Sequence, residues 1–441
     1  MRVVDLGECS PTERKRLLAR SEVRISSVIP RVRRIVEDVR RRGDVALLDF
    51  TRRFDGVSMR RDQIRVSEAE IERACSSLPK RTLRALRSLA NAIRRFHRMQ
   101  LPKGWFVEID EGVRVGQIVR PLESVGVYVP GGEASYPSTL LMATLPARIA
   151  GVDRIVVCTP PRKDGTVSPA VLAAARMAGV DSVFRVGGAQ AIAAMAYGTE
   201  SIPKVEKIVG PGNIYVTAAK RLLSSVVEVD FEAGPSEVLI VADESADPVH
   251  VAADMIAQAE HDTEASCVLV TVSRKLAAAV NRAVEDLLPQ LPRAPVAARS
   301  LSKNGLIVLA RNMDEAIEFA NEYAPEHLQL VVRNPRKYLP LVKNAGAVLL
   351  GHFSPVAIGD LAAGPNHILP TGGRARVCSG LSVLDFVKMP AVVEVNRRGL
   401  ARLSPTVEAL AEAEGLEGHF LSVRLRLRGR DNGSRGARGG F

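Results

Sequence analysis

Aromatic side chains are scarce in this 441-residue chain: 4% of the residues, with a single tryptophan. RNA- and single-strand-binding modules rest on stacking aromatics, and no zinc-finger or RNP motif is present, so a dedicated nucleic-acid binder is not expected. The net charge of +12 does not reverse this. The excess sits near the two ends, in PRVRRIVEDVRRR and RLRLRGRDNGSRGARGGF, and reads as solvated basic helices and a Gly/Arg tail. Cysteine is also sparse. Five are scattered at positions 9, 75, 158, 267 and 378 without a CxxC, which excludes a disulfide framework or a thiolate zinc finger and leaves them as small apolar fillers. No run of 18 uncharged apolar residues is present, so no membrane span is expected. The opening MRVVDLGECSPTERKRLLAR becomes charged too early for a signal peptide, and the expected compartment is the cytoplasm.

What is present is a long alternation of short apolar runs with helical periods. Residues 1–124 read as an arginine-rich helical segment ending in a hairpin or linker around WFVEIDEGVRVGQIV. Ser67 and Glu70 form a capping-box pattern before a helix. From 125 to 236 strand and helix alternate (RIVVCTPP, SPAVLAAARMAGV, SVFRVGG), and a second such series runs from 237 to 381. Short apolar strands separated by helices predict parallel sheets covered on both faces, hence two α/β domains with a ligand cleft at strand carboxyl ends. Residues 382–441 read as a small, basic, helical C-terminal segment.

Three glycine-rich junctions follow strand-like runs and open helices: VYVPGGEASYPST (127–139), VGGAQAIA (186–193) and VGPGNIYVTAAKR (209–221). Helix N-termini with close backbone approach suit a phosphate or dinucleotide, although any one of them alone also reads as a tight turn. None is GxGxxG. A second set of residues has the chemistry of a nitrogen and oxygen cation site without sulfur. Gln258 and His261 stand three apart at a helix end, Asp360 and His367 lie in the Gly/Pro-rich stretch 359–386, and Glu414 and His419 follow near the C-terminus. Such donors suit a catalytic Zn²⁺, or Mn²⁺ or Co²⁺ in its place. Finally, NEYAPEHLQL (321–330) sets Glu326 beside His327 at a helix-to-strand junction, which reads either as a polar loop or as an acid–base pair. His97, His250 and His352 read as surface or packing histidines.

GPGNIYVTAAKR, AGPSEVLIVAD, AQAEHDTEAS, YAPEHLQL and GDLAAGPNHILPT occur in the order found in the histidinol dehydrogenase family, which the chain resembles from about residue 20 to 425. The resemblance implies an α/β fold of two Rossmann-like, aldehyde-dehydrogenase-like domains with a helical N-terminal segment and a small C-terminal helical domain. It implies oxidation of L-histidinol to L-histidine through the aldehyde with two NAD⁺, the last step of histidine biosynthesis. Gln258, His261, Asp360 and His419 match the zinc ligands, one zinc per subunit, with His419 reaching the partner's site in a homodimer. Tyr128, Gln190 and Asn213 match NAD contacts. Ser236, His327, Asp360, His367 and Glu414 match residues that hold histidinol together with the zinc ligands, and Glu326 and His327 match the catalytic pair. Leu361 and Gln329 depart from the family pattern, at positions that carry no implied role, and no function is assigned to the tail GRDNGSRGARGGF.

Overall fold

The computed structural model describes residues 1–18, 25–131, 135–231 and 234–428, so the basic tail from 429 and part of the first glycine junction lie outside the described residues. The chain divides into two units, residues 1–101 with 121–386, and residues 102–120 with 387–441.

The first unit opens with a short strand, β1 (Arg2–Asp5), and helices α1 (Pro11–Leu18), α2 (Ile25–Arg42), α3 (Asp44–Phe54), α4 (Glu68–Ser77) and α5 (Lys80–Arg98). The capping box forms as expected: Ser67 Oγ accepts from the Glu70 amide, and the Glu70 carboxylate accepts from the Ser67 amide at 3.1 Å. Pro79 separates α4 from α5, because proline disfavours helical geometry in the residue before it. The chain then leaves for the hairpin β2 (Trp105–Asp110) and β3 (Val113–Gln117), which belongs to the second unit.

On its return it builds a five-stranded parallel sheet from β4 (Ser124–Tyr128), β5 (Arg154–Cys158), β6 (Ser182–Phe184), β7 (Lys207–Val209) and β8 (Glu228–Val229), in the order β6-β5-β4-β7-β8. Helices α6 (Pro137–Ala150), α7 (Pro169–Ala178), α8 (Gly188–Tyr197) and α9 (Ile214–Leu223) form the connections. Alanines let α8 lie close: every residue from Ala189 to Ala196 is buried.

The second sheet repeats the scheme with β9 (Glu237–Ala242), β10 (Ser266–Thr271), β11 (Gly305–Leu309), β12 (His327–Val331) and β13 (Ala347–Leu350), connected in part by α10 (Pro248–Ala259), α11 (Arg274–Leu287), α12 (Ala294–Asn304) and α13 (Met313–Tyr323). Its order is β1-β11-β10-β9-β12-β13, all parallel. In both sheets, β1 aside, the first strand is central and the winding reverses between it and the fourth, the Rossmann-like arrangement expected for an α/β chain. Strands β9 and β12 are buried at every position, as strands covered on both faces must be.

Strand β1 and the strand at Ala391–Val395 are among those that escape the sequence reading. β1 joins the second sheet's edge beside β11, with Val3 opposite Ile307. In the second unit, β14 (Ala391–Val395) pairs antiparallel with β3, Val393 opposite Val115, in a stretch read as helical. Helices α14 (Arg397–Glu414) and α15 (Glu417–Arg428) follow there, as expected. No described helix is long and apolar enough to cross a membrane.

Candidate active site

Helix α13 ends at Tyr323, and Ala324 leaves it in the left-handed region at φ 49°, unique among described non-glycine residues in having a positive φ. Pro325 follows and β12 begins at His327. Parallel pairing sets His327 beside Val238, so Glu237 at the start of β9 lies against the pair. The Glu237 amide donates to Glu326 Oε2 at 2.7 Å, and the Glu237 carbonyl oxygen lies 3.2 Å from His327 Nδ1. One peptide residue thus holds both side chains, with Glu326 Oε2 3.6 Å from His327 Nδ1. Glu326 and His327 are both buried.

The loop after β13 closes over the imidazole. Asp360 sits in a single π-type turn, Gly359–Ala363, and its Oδ1 lies 3.2 Å from His327 Nε2. Both nitrogens of His327 therefore face acceptors, the arrangement that suits an imidazolium. Burial opposes that charge, but the carboxylates of Glu326 and Asp360 outweigh it and push the imidazole up to about 10. Burial likewise works against ionising Asp360, yet the His327 hydrogen bond and the fields of His327, His367 and His261 hold its carboxyl below the usual range.

His367 lies in the same loop, with Nδ1 3.0 Å from the Asp360 carbonyl oxygen and Nε2 3.0 Å from Thr139 Oγ1. The carbonyl can only accept, so Nδ1 carries the proton and Nε2 accepts from the threonine hydroxyl. That neutral form agrees with the lowering of its pKa by burial. Thr139, in the first turns of α6, ties the first sheet's layer to this loop, and Asn366 Nδ2 adds a 2.7 Å bond to the Met142 carbonyl. Sequence reasoning missed Thr139 and Glu237: neither residue type signals a site, and Glu237 acts through its backbone.

Glu326, His327, Asp360 and His367 are thus brought together in the first unit, with His261 near enough to act on Asp360. Gln258 is buried in the last turn of α10, and His261 lies just past that helix, exposed, its amide bonded to the Gln258 carbonyl at 3.3 Å. Ser236, half-buried, precedes β9. Glu414 ends α14 and His419 lies in α15, both exposed in the second unit. Gln258, His261 and Asp360 are nitrogen and oxygen donors of the kind a divalent cation accepts. Among the described residues, however, no three His, Cys, Asp or Glu side chains converge as a complete site within the chain.

The cofactor candidates gather at the carboxyl edge of the first sheet. Tyr128 ends β4, almost fully buried, its hydroxyl accepting from the Gly188 amide at 3.1 Å as α8 begins. Gln190 is buried in the first turn of α8. Asn213 is exposed and caps α9, its Oδ1 accepting from the Tyr215 and Val216 amides at 3.0 and 3.2 Å. All three stand at or after the carboxyl ends of strands of this sheet. In the second sheet the placement is reversed: Glu326, His327 and Glu237 stand at the amino ends of their strands.

Cys158 and Cys267 are buried and all five cysteines are free. His97 is buried within α5, a packing role as expected.

A family model described as histidinol dehydrogenase matches residues 18–427. Histidinol dehydrogenase of Methanothermobacter thermautotrophicus is 52% identical over 412 residues, which cover 93% of this chain and 96% of the relative. That of Methanopyrus kandleri is 51% identical over 94% of this chain and 97% of its own length. The crystal structure of histidinol dehydrogenase from Elizabethkingia anophelis superposes with a TM-score of 0.93 at 38% identity, covering 97% of this chain and 98% of that one.

Proposed function

Because the chain belongs to the histidinol dehydrogenase family, an oxidoreductase family of histidine biosynthesis, we propose that it carries out both oxidations of L-histidinol: alcohol to aldehyde, and aldehyde to L-histidine, the final step of that biosynthesis. The observation that carries this reading is the buried Glu326–His327 pair held by the Glu237 peptide with Asp360 and His367 beside it.

In this reading His327 Nε2 accepts the alcohol proton, and Glu326 draws a proton from the water that adds to the aldehyde, giving a gem-diol. His327 then acts again in the second oxidation. His327 acts as base in its neutral form, reached when Asp360 is engaged elsewhere, and the Glu326 carboxylate beside it raises its basicity. His367 would exchange the Thr139 hydroxyl at its Nε2 for the substrate, and Ser236 and Glu414 complete the binding set. NAD⁺, held by Tyr128, Gln190 and Asn213, supplies the two-electron acceptor for each oxidation. A zinc ion held by Gln258, His261, Asp360 and the partner's His419 would orient the substrate's amine and imidazole, and would occupy the Asp360 carboxylate that otherwise keeps His327 charged. The family match supports a homodimer in which His419 serves the partner's site. A cytoplasmic location fits a biosynthetic enzyme that uses NAD⁺.

The test is stoichiometry. Purified protein with limiting L-histidinol and excess NAD⁺ yields two NADH and one L-histidine per histidinol, and chelation abolishes this until zinc is restored. Reduction of NAD⁺ only with alcohols lacking an imidazole would sink the reading, and turnover indifferent to chelators would remove the metal from it.

A further inference from the structure

Behind the third glycine junction lies an ion pair that the proposed chemistry leaves unexplained. Lys220 in α9 and Asp230 just after β8 are 5% and 2% exposed and 2.5 Å apart. Both reach past each other to one residue. Lys220 Nζ also donates to the Gly210 carbonyl, and the Gly210 amide donates to Asp230 Oδ2 at 2.7 Å. The pair therefore takes up both peptide groups of a single glycine. An apolar pair of equal volume would fold as well, since burying two charges costs about as much as their attraction returns. An apolar pair could not satisfy a peptide that has left the strand ladder.

Gly210 is where the backbone must be held. Its φ is +111°, and a Cβ there would lie 2.1 Å from the Tyr128 carbonyl oxygen. The turn it begins runs through Gly212 to Asn213, the cap of α9. The clamp thus sets the turn against Tyr128, and so the spacing between two of the three dinucleotide candidates. Asp230 also stands seven residues ahead of Glu237, whose peptide holds Glu326 and His327. The connection between the sheets is anchored at its start to the cofactor turn and at its end to the acid–base pair. Gly372 fixes that end further, its amide donating to Glu237 Oε1 at 2.9 Å.

We propose that Lys220 and Asp230 are a positioning pair for the dinucleotide, holding the Gly210–Asn213 turn in the geometry that binds NAD⁺. This rests on the cofactor role given above to Tyr128 and Asn213. The experiment compares full-length wild type with Asp230→Asn, Lys220→Met and Lys220→Arg in steady-state kinetics and in calorimetric NAD⁺ binding. Asp230→Asn and Lys220→Met raise KM and Kd for NAD⁺ by about 10- to 100-fold with KM for histidinol unchanged, and Lys220→Arg recovers part of the loss because it keeps a cationic donor. Asp230→Asn carries the test where Lys220→Met fails to fold, since it keeps the shape of Asp230 while removing the charge that Lys220 Nζ pairs with. Folded variants with unaltered NAD⁺ affinity that lose only thermal stability and kcat would make the pair merely structural and overturn the proposal. A wild type with no histidinol-dependent NAD⁺ reduction would instead fail the functional reading itself.

Discussion

At the scale of single residues, the neighbours Glu326 and His327 are separated in role by what each faces. Glu326 accepts from the Glu237 amide, while His327 lies between the Glu237 carbonyl and Asp360. With the roles proposed above, replacing His327 by alanine lowers kcat for both oxidations by about 10²- to 10⁴-fold. Glu326→Gln keeps the acceptor for the Glu237 amide and impairs oxidation of histidinaldehyde more than that of histidinol. Single-turnover assays with each substrate read the difference, and equal losses in Glu326→Gln would refute the division. The backbone pays a small strain to deliver the pair: Ala324 is left-handed directly before a proline, a combination that only a well-determined surround maintains.

His97 gives a residue-scale pH effect away from the site. It is buried, with Nδ1 2.6 Å from Gln100 Oε1 and Nε2 without a partner among the described residues. Burial, partly offset by Gln100, lowers its pKa from the ordinary 6.5. The unfolded chain therefore binds this proton first as pH falls. The contribution is fully present above 6.5 and is lost progressively as pH drops toward the folded-state value. His97→Gln flattens that acid slope, so the gap in thermal midpoint between pH 7.5 and pH 5.5, each about a unit from the ordinary pKa, is smaller than in wild type. An unchanged gap would show that His97 does not titrate on unfolding.

At the scale of elements, most of the two sheets is legible in the sequence because each strand and helix is written in local periodicity. The run MDEAIEFANEYA followed by HLQLVV becomes α13 and β12, and IYVTAAKRLL becomes α9. Capping residues are equally local: Ser67 holds the first turn of α4 and Asn213 that of α9. Either changed to alanine costs ~1 kcal/mol of stability through lost amide acceptors. Asn213→Ala also raises KM for NAD⁺, whereas Ser67→Ala does not. Paired denaturation and kinetic measurements separate capping from cofactor binding, and equal kinetics for the two variants would remove Asn213 from the dinucleotide site. What periodicity does not carry is β1 and β14. Their partners lie hundreds of residues away, beside Ile307 and Val115, and a strand defined only by a distant partner leaves little local trace.

At the scale of the whole molecule, the residues matched to one site fall in two units. Gln258, His261, Asp360 and the acid–base pair belong to the first, and Glu414 and His419 stand exposed on helices of the second. If each site takes His419 from the partner, a His419→Ala chain mixed with a His261→Ala chain regains activity. A mixed dimer then holds one intact site and one doubly damaged site. Activity recovers to roughly a quarter of wild type under random exchange, half the dimers being mixed with one working site each. No recovery despite demonstrated subunit exchange would argue against sharing.

The sequence by itself determined the α/β class, the glycine turns and the identity of the acid, the imidazoles and the nitrogen and oxygen donors, because residue type and short-range spacing carry that information. It also determined that Glu326 and His327 would be adjacent. Only the tertiary structure decided what they face. Strand periodicity fixes which face of the sheet a side chain takes but says nothing of the residues that a distant strand or loop brings against it. Parallel register beside β9 brings the Glu237 peptide to the pair at the amino edge, and the loop carrying Asp360 and His367 closes on the same point. The contacts of Glu326 and His327 with Glu237 and Asp360 join residues 33 to 90 positions apart. They exist only once the sheet has formed, and they are what turn two neighbouring polar residues at a helix-to-strand junction into a buried pair held by one peptide residue.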